Sequence, residues 1–175
     1  MKYHEDSSVN TGLVGAVFVR KADGTEGGTT VNFKTSLAAT GAAHVHRITE
    51  WSGNLSDVQV GTPRHAQTTE PDPLSLAPSY GLAKTLWLEI CHTADDDDTV
   101  SGYSTNYTGG ANTVSGAGTN AGAAIATAWR ELEASSENPD ALTLSGSEGT
   151  IANLLAVRPI AAVPLGGAGI MAAGL

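Results

Sequence analysis

Residues 84–107, KTLWLEICHTADDDDTVSGYSTNY, join the densest apolar run of the chain to its most acidic one. The apolar run, residues 86–91, is too short to span a membrane and has the length of a fully buried strand. It leads directly into four consecutive aspartates and then into a segment rich in Gly, Ser, Tyr and Asn. A buried strand followed by a polar loop is typical of an all-β domain whose loops lie at the surface.

Short strands are predicted on both sides of this stretch. Residues 12–20 are apolar on both faces, and the Asp23–Gly24 pair that follows favours a tight turn. Residues 61–80 contain four of the seven prolines, so we predict a crossover loop there, and residues 101–122 are predicted as a loop and an edge strand. Further strands are predicted at residues 29–35, 41–51, 55–60, 142–144 and 150–157.

Residues 121–134, AGAAIATAWRELEA, fit two structures. Ile125, Trp129 and Leu132 lie at helical spacing, whereas a strand would place Ile125, Thr127 and Trp129 on one face. The preceding glycines and the neighbouring strands favour a strand. The chain is therefore predicted to be all-β, an antiparallel β-sandwich of jelly-roll-like form.

One β-sandwich domain is predicted over residues 1–159, followed by an apolar, glycine-rich C-terminal tail over residues 160–175. The tail is shorter than the roughly 20 residues that a membrane helix needs. We expect it to dock against a neighbouring subunit or to be disordered. The polar start of the chain lacks the apolar region of a signal peptide, and no membrane association is predicted.

The charge of the chain narrows its possible partners. The formal net charge is −9 and the nine basic residues are scattered, which argues against nucleic acid as a partner because phosphate binding needs clustered Lys and Arg. Cys91 is the single cysteine, so no disulfide can form within the chain. We interpret it as a small core side chain.

His44, His46 and Glu50 are the candidate metal ligands. In a strand the two histidines would lie on one face, and the spacing H-x-H-x3-E resembles the first metal motif of the cupins. Ala38 stands where that motif has a glycine, and the second half of the motif is not met. The alternative is that the histidines alternate with Val45 and point to solvent or to a subunit contact. No metal or cofactor is predicted, and a cupin-like metal-dependent enzyme stays an alternative.

The segment after the buried strand is predicted to be an exposed recognition loop. Tyr beside Ser, Asn and Gly supplies rigid contact area and adaptable hydrogen bonds. The aspartates could supply oxygens to calcium, but the run has no internal glycine, so a solvated acidic loop is preferred. The tyrosines could instead cover the end of a sheet. The candidate binding residues are Asp95, Asp96, Asp97, Asp98, Tyr103, Asn106 and Tyr107.

Sequence motifs of common enzymes are absent. The chain has no G-x-S-x-G nucleophile elbow and no phosphate-binding G-x-x-x-x-G-K-[ST] loop. No catalytic residues are therefore predicted, and the protein is expected not to be an enzyme.

Several blocks of sequence, in order, resemble a group of small virion proteins of tailed bacteriophages. The blocks are RKADGTEG, HVHRITEWSG, EPDPLSLAPSYG, TLWLEI with DDDDTVSGYSTNYTGG, and WRELEASSENPDALTLSGSEG with LLAVRP. The resemblance runs from about residue 16 to residue 159. Members of the group carry further strands before the first block, so the sandwich could need a strand from a partner, or its first strands could differ. The tail after Pro159 looks like an addition.

The resemblance implies a non-enzymatic virion structural protein on the particle surface. It would be a capsid decoration (cement) or head-fibre protein, or a tail component, bound to the major capsid or tail protein lattice and itself a homo-oligomer. The alternative from another class is a carbohydrate- or host-surface-binding module that uses Tyr103, Asn106 and Tyr107.

Overall fold

The computed structural model describes residues 2–7, 12–25, 30, 32, 40–49, 51, 53–116 and 122–160. These residues form β-strands joined by turns and one three-residue 3-10 turn at Leu55–Asp57, and no α-helix occurs among them. The strands are β1 (Lys2–Ser7), β2 (Val14–Val19), β3 (Val58–Val60), β4 (Arg64–Thr68), β5 (Ala83–Thr93), β6 (Val100–Gly102), β7 (Thr108–Val114), β8 (Ala124–Ala134), β9 (Thr143–Leu144) and β10 (Glu148–Val157). The predicted all-β class is confirmed.

A six-stranded antiparallel sheet forms the centre of the fold. Its order is β3-β10-β5-β8-β7, and β4 pairs with β10 beyond the end of β3. β5 pairs with β8 over its full length and with β10 on its other side, so Leu88 lies between Trp129 and Leu155. Both faces of β5 are buried, which confirms the prediction for residues 84–93 and explains why its sequence is a continuous apolar run.

One face of this sheet, the hairpin face, is covered by β2 of the β1–β2 hairpin, by residues 42–48 and by Trp51. Val17 and Val19 of β2 pack there together with Ile48 and Trp51. The core on this face consists of Val58, Leu88, Ile90, Ile125, Leu155 and Val157. Two antiparallel layers packed face to face make a β-sandwich.

The opposite face, the loop face, is covered by loops and by the short β6–β9 pair. Trp87 is fully buried there, and its indole N–H donates to the Leu132 carbonyl at 3.3 Å. Leu76, Tyr80 and Tyr107 pack around Trp87. A second cluster consists of Cys91, Val100, Ala126, Leu142 and Leu144. The buried thiol agrees with the interpretation of Cys91 as a core side chain, and burial raises its pKa to about 12.

The prediction of a strand at residues 121–134 is confirmed by β8. Small side chains make this possible, because Ala126 and Ala128 are buried beneath the loop-face residues while Ile125 and Thr127 are buried on the hairpin face. The strands predicted at 12–20, 142–144 and 150–157 and the edge strand within 101–122 are likewise present as β2, β9, β10 and β7.

Other predicted boundaries need correction. The segment predicted as a strand at 41–51 has no ladder over residues 41–49, and Trp51 makes only a single bridge to Pro159. It is nevertheless extended over the sheet, since half-buried and exposed residues alternate along it. The predicted loop at 61–80 contains β4, and its prolines lie outside that strand. Most of the strand predicted at 29–35 and all of the tail after residue 160 lie outside the described residues.

No helix among the described residues has the length and hydropathy that crossing a bilayer requires.

Candidate functional site

A buried carboxyl at the middle of the sheet is the starting point of the candidate site. Glu89 of β5 points to the loop face and has no accessible surface. Its Oε1 accepts the backbone N–H of Ser104 at 3.3 Å, and its Oε2 lies 2.5 Å from the Ser104 hydroxyl oxygen. That hydroxyl oxygen also lies 2.7 Å from the carbonyl oxygen of Asp140.

The hydrogen bonds around Glu89 can accommodate a protonated carboxyl. Ser104 Oγ carries one proton but contacts two acceptor oxygens, those of Glu89 and of the Asp140 backbone. All contacts are satisfied when the carboxylic acid of Glu89 donates to Ser104 Oγ and the hydroxyl donates to the carbonyl. Burial raises the pKa of Glu89, and the nearby Asp140 and Glu137 carboxylates raise it further against the lowering effect of Ser104. The raised pKa and the hydrogen-bond geometry both favour the carboxylic acid form of Glu89.

Beside this network lies a polar pocket of about 290 Å³. It is lined by Thr105, Asn106, Arg130 and residues 137–140. Arg130 of β8 and Glu137 form an ion pair with an N···O distance of 2.8 Å, and both side chains are largely shielded from solvent. The Arg130 guanidinium lies over the Tyr107 ring at 5.4 Å from its centroid. The Arg130–Glu137 ion pair forms the inner wall of the pocket.

Burial also shifts the ionisation of the wall residues. It raises the pKa of Glu137, although the Arg130 guanidinium opposes the effect. It raises the pKa of Tyr107 as well, with the Glu137 and Glu89 carboxylates adding to the shift. The Tyr107 hydroxyl donates a long hydrogen bond of 3.5 Å to Glu137. Arg130 Nε is buried without a hydrogen-bond partner.

Two turns form the rim of the pocket and are tied to each other. In the first, the Tyr107 N–H donates to the Ser104 carbonyl at 3.0 Å, and Asn106 adopts φ of 67°. Asn106 is the one non-glycine residue with positive φ in the described part of the chain, a conformation that asparagine tolerates better than most residues. The Thr105 N–H donates to Asp140 Oδ2 of the second turn at 3.3 Å. The backbone at Glu137 is fixed in turn by two hydrogen bonds with Leu76.

The prediction of exposed aspartates is wrong for Asp95 and Asp96, which are 5% and 7% exposed. Their oxygens bind the turn itself, since Asp95 Oδ1 accepts the Asp97 N–H at 3.0 Å and Asp96 Oδ2 accepts the Ser115 hydroxyl at 2.9 Å. Such local bonds make aspartate a turn-former, which explains why the run is partly buried rather than solvated. Asp97 is exposed and Asp98 is half-buried.

Asp95, Asp96 and Asp97 nevertheless place one carboxylate oxygen each within 4.8 Å of one another. Within the described ranges this is the one group of three acidic, His or Cys side chains that could hold a cation. Oxygen ligands of this kind suit Ca²⁺, but acidic loops often have this spacing without binding an ion.

The tyrosines cover the sheet, which is the alternative that the sequence left open. Tyr103 and Tyr107 are half-buried and pack on the two loop-face clusters. The Tyr103 ring lies so close to Gly110 of β7 that a side chain there would overlap it. Only Asn106 of the three residues predicted for recognition is exposed.

The histidine pair lies on the hairpin face. The two side chains point toward the sheet and not to solvent, which was the alternative to a metal site. His44 and His46 are half-buried and Val45 is 63% exposed. Their rings stack at 4.6 Å with an interplanar angle of 7°, and Thr127 Oγ1 lies 2.9 Å from His46 Nε2 and 3.5 Å from His44 Nδ1. Burial, and then the neighbouring His44, lowers the pKa of His46. Glu50, the third proposed ligand, lies outside the described residues.

Sequence reasoning missed four residues that the structure brings together: Glu89, Arg130, Glu137 and Asp140. One signal was present, because Glu89 is a charged residue inside a run predicted to be buried on both faces. A carboxyl at such a position needs polar partners from elsewhere in the chain.

In comparisons with known proteins, no family model, curated protein or solved structure matches this chain.

Proposed function

We propose that the chain is a non-enzymatic structural protein of a tailed-bacteriophage virion. It acts on the particle exterior as a capsid decoration or head-fibre protein, or as a tail component, in a homo-oligomer bound to the capsid or tail lattice. The ordered sequence blocks between residues 16 and 159 support this proposal, and an all-β sandwich is compatible with it.

The structural observation that carries the proposal is the outward side of β2. Gly15, Val17 and Val19 face the sheet, whereas Val14 and Phe18 point away from it and are 55% and 48% exposed. Contiguous exposed apolar surface marks interaction sites more often than single side chains do, and Val14 and Phe18 are the candidate contact residues of β2. Fully burying one such side chain contributes about 1.5–3 kcal/mol, so a lattice of many copies gains a large total from a small contact.

Particles of the phage that encodes the chain provide the test. Mass spectrometry of purified particles should find the chain in a fixed ratio to the major capsid or tail protein, and cryo-electron microscopy should show regularly placed density. Its absence from washed particles would contradict the proposal.

Rebinding of the recombinant chain to stripped particles tests the proposed surface. Phe18→Ser should release most of the bound protein in a pelleting assay. Leu82→Ser is the matched control, because Leu82 is a large exposed side chain in the turn before β5. Equal release by both variants would place the contact elsewhere.

A further inference from the structure

β7 is an edge strand of the six-stranded sheet. Among the residues that the structure describes, it pairs with β8 on one side and with no strand on the other. The Ser115 N–H donates to the Ala123 carbonyl at 2.9 Å, and the same register continues back to Thr113. Because hydrogen-bonded pairs alternate along an antiparallel ladder, the N–H and C=O groups of Asn112 and Val114 point away from β8. These two residues therefore offer two donors and two acceptors to a further strand.

The side chains of β7 leave this edge accessible. Val114 is 45% exposed, and Asn112 is exposed as well. The Asn112 amide makes two hydrogen bonds with the backbone of Val100 in β6, at 3.0 and 2.9 Å, so this contact uses the side chain of Asn112 and not its backbone. A register shift at the start of β7 limits the regular part of the edge to residues 111–115.

The two edges of the sheet differ in protection. Natural edge strands usually carry charges, prolines or a covering loop that prevent pairing with another chain. The edge at β3 and β4 has such features, because Arg64 of β4 forms an ion pair with Asp72. Ser79 of the proline-rich loop is also hydrogen-bonded to Gln59 of β3. β7, with the sequence TGGANTV, has no charged residue and no proline.

The absence of charge on β7 favours a second copy of this chain as its partner. The net charge of the chain is −9, so two copies repel each other unless they meet at an uncharged surface. Identical edges that pair antiparallel are self-complementary. A two-fold axis through Thr113 would place Asn112 of each copy opposite Val114 of the other, where their outward backbone groups can form hydrogen bonds.

The acidic turn beside β7 selects the antiparallel direction. Asp96 accepts a hydrogen bond from the Ser115 hydroxyl, so the turn lies at the C-terminal end of the strand. Antiparallel pairing about Thr113 would separate the two copies of Ser115 by about 14 Å along the strands. This distance exceeds the screening length of about 8 Å at physiological salt. Parallel pairing would instead bring the two acidic turns together.

We propose that two copies of this chain associate through their β7 edges, antiparallel about Thr113, and form one continuous sheet. This dimer is the homo-oligomer of the proposed function, on which the proposal therefore rests. A standard interface contributes about 20–30 residues from each partner, so an edge of five residues associates weakly in solution. On a lattice the contact is strengthened because each copy is held near its neighbour.

Sedimentation equilibrium of the full chain tests the proposal. The wild type should dimerise with a Kd of about 100 µM or tighter. Thr113→Glu would place two carboxylates opposite each other at the axis and should weaken the dimer about tenfold or more. Thr113→Lys should do the same, and an equimolar mixture of the two variants should restore dimerisation because opposite charges then meet. Thr62→Glu is the matched control, since Thr62 is an exposed threonine between β3 and β4, and it should dimerise like the wild type.

Thr113→Cys tests the position of the axis. Thr113 is hydrogen-bonded to β8, so across the dimer it forms a non-hydrogen-bonded pair, in which side chains are close enough for a disulfide. Oxidised glutathione should convert this variant to a covalent dimer faster than Thr62→Cys, and the native Cys91 is buried.

Urea unfolding shows whether each variant is folded. The proposal is overturned if the wild type dimerises more weakly than about 100 µM, if folded Thr113→Glu dimerises like the wild type, or if Thr113→Cys cross-links no faster than Thr62→Cys. None of these measurements uses phage particles. A chain that passes them but is absent from washed particles would refute the virion role alone.

Discussion

His92 of β5 makes the stability of the fold sensitive to acid. Its side chain is buried on the hairpin face, where it lies between Ile125 and Ile151 of the neighbouring strands. β2 covers it from above, because a Cβ atom placed on Gly15 would lie 2.7 Å from the imidazole Cδ2. Burial lowers the pKa of His92 from 6.5 to about 4.

The sign and size of the effect follow from this pKa difference. Between pH 6.5 and about 4 the unfolded chain binds a proton at His92 and the folded chain does not, so acid favours unfolding across this window. The loss is about 1.4 kcal/mol for each pH unit, or about 3 kcal/mol in total, and it becomes constant below the folded pKa. That is a large part of the roughly 5–15 kcal/mol that stabilises an ordinary domain.

Urea unfolding followed by tryptophan fluorescence from pH 7.5 down to about 4 measures the effect, with the buried Trp87 as a reporter. We compare the wild type with His92→Leu, which cannot titrate. The free-energy difference between them should shift by about 3 kcal/mol in favour of the variant as the pH falls. Other titrating groups cancel in this comparison.

His65→Leu is the control, since His65 is an exposed histidine of β4 opposite Ile151. It should retain the acid sensitivity of the wild type. NMR titration of the His92 ring gives its pKa directly. A pKa near 6.5 together with a free-energy difference that does not change with pH would refute the argument and the close packing of β2 on this face.

Two further variants test the loop face. Glu89→Gln should gain stability relative to the wild type between pH 4.5 and the raised pKa of the folded Glu89 carboxyl, by up to about 1.4 kcal/mol per pH unit. The reason is that burial raises this pKa, so ionisation of the carboxyl favours unfolding. Urea unfolding at several pH values measures this difference, and Glu133→Gln, which changes an exposed carboxylate, is the control. If Glu89→Gln instead lost stability relative to the wild type as the pH rose, Glu89 would be ionised in the folded protein. Gly110→Ala should lower the free energy of unfolding by about 1–3 kcal/mol, because the new methyl group would overlap the Tyr103 ring. Gly41→Ala, which meets open space, should have little effect in the same measurement, and equal effects of the two variants would contradict the packing of Tyr103.

The strands could be predicted because their sequences carry the signal locally. β5 and β10 are buried on both faces, so they appear as continuous apolar or small-residue runs bounded by turn residues. In β8 the helical spacing of Ile125, Trp129 and Leu132 was misleading. Residues 124–134 form a strand because they pair with β5 along eleven residues, and this tertiary contact outweighs their local helical preference.

The site could not be predicted because its residues are distant in sequence and meet only through the strand register. Glu89 and Arg130 come from adjacent strands, and Asp140 comes from the turn that follows β8. The orientation of the histidine pair also depends on a residue distant in sequence. The Thr127 hydroxyl lies within hydrogen-bond distance of both rings, and His44 and His46 point toward the sheet. A periodic pattern shows which residues share a face but not which face has a polar partner.

Glu89 connects the centre of the sheet to the candidate pocket. A carboxyl without accessible surface costs free energy even when it is hydrogen-bonded, and an apolar side chain of similar volume could stabilise the strand more. An apolar side chain would lack the two hydrogen bonds that Glu89 makes with Ser104. These bonds hold the turn at Ser104 against the Asp140 carbonyl of the other turn. The buried carboxyl thus gives up stability in the core and in return fixes the relative position of the two turns, which is the condition for a preformed site at the surface.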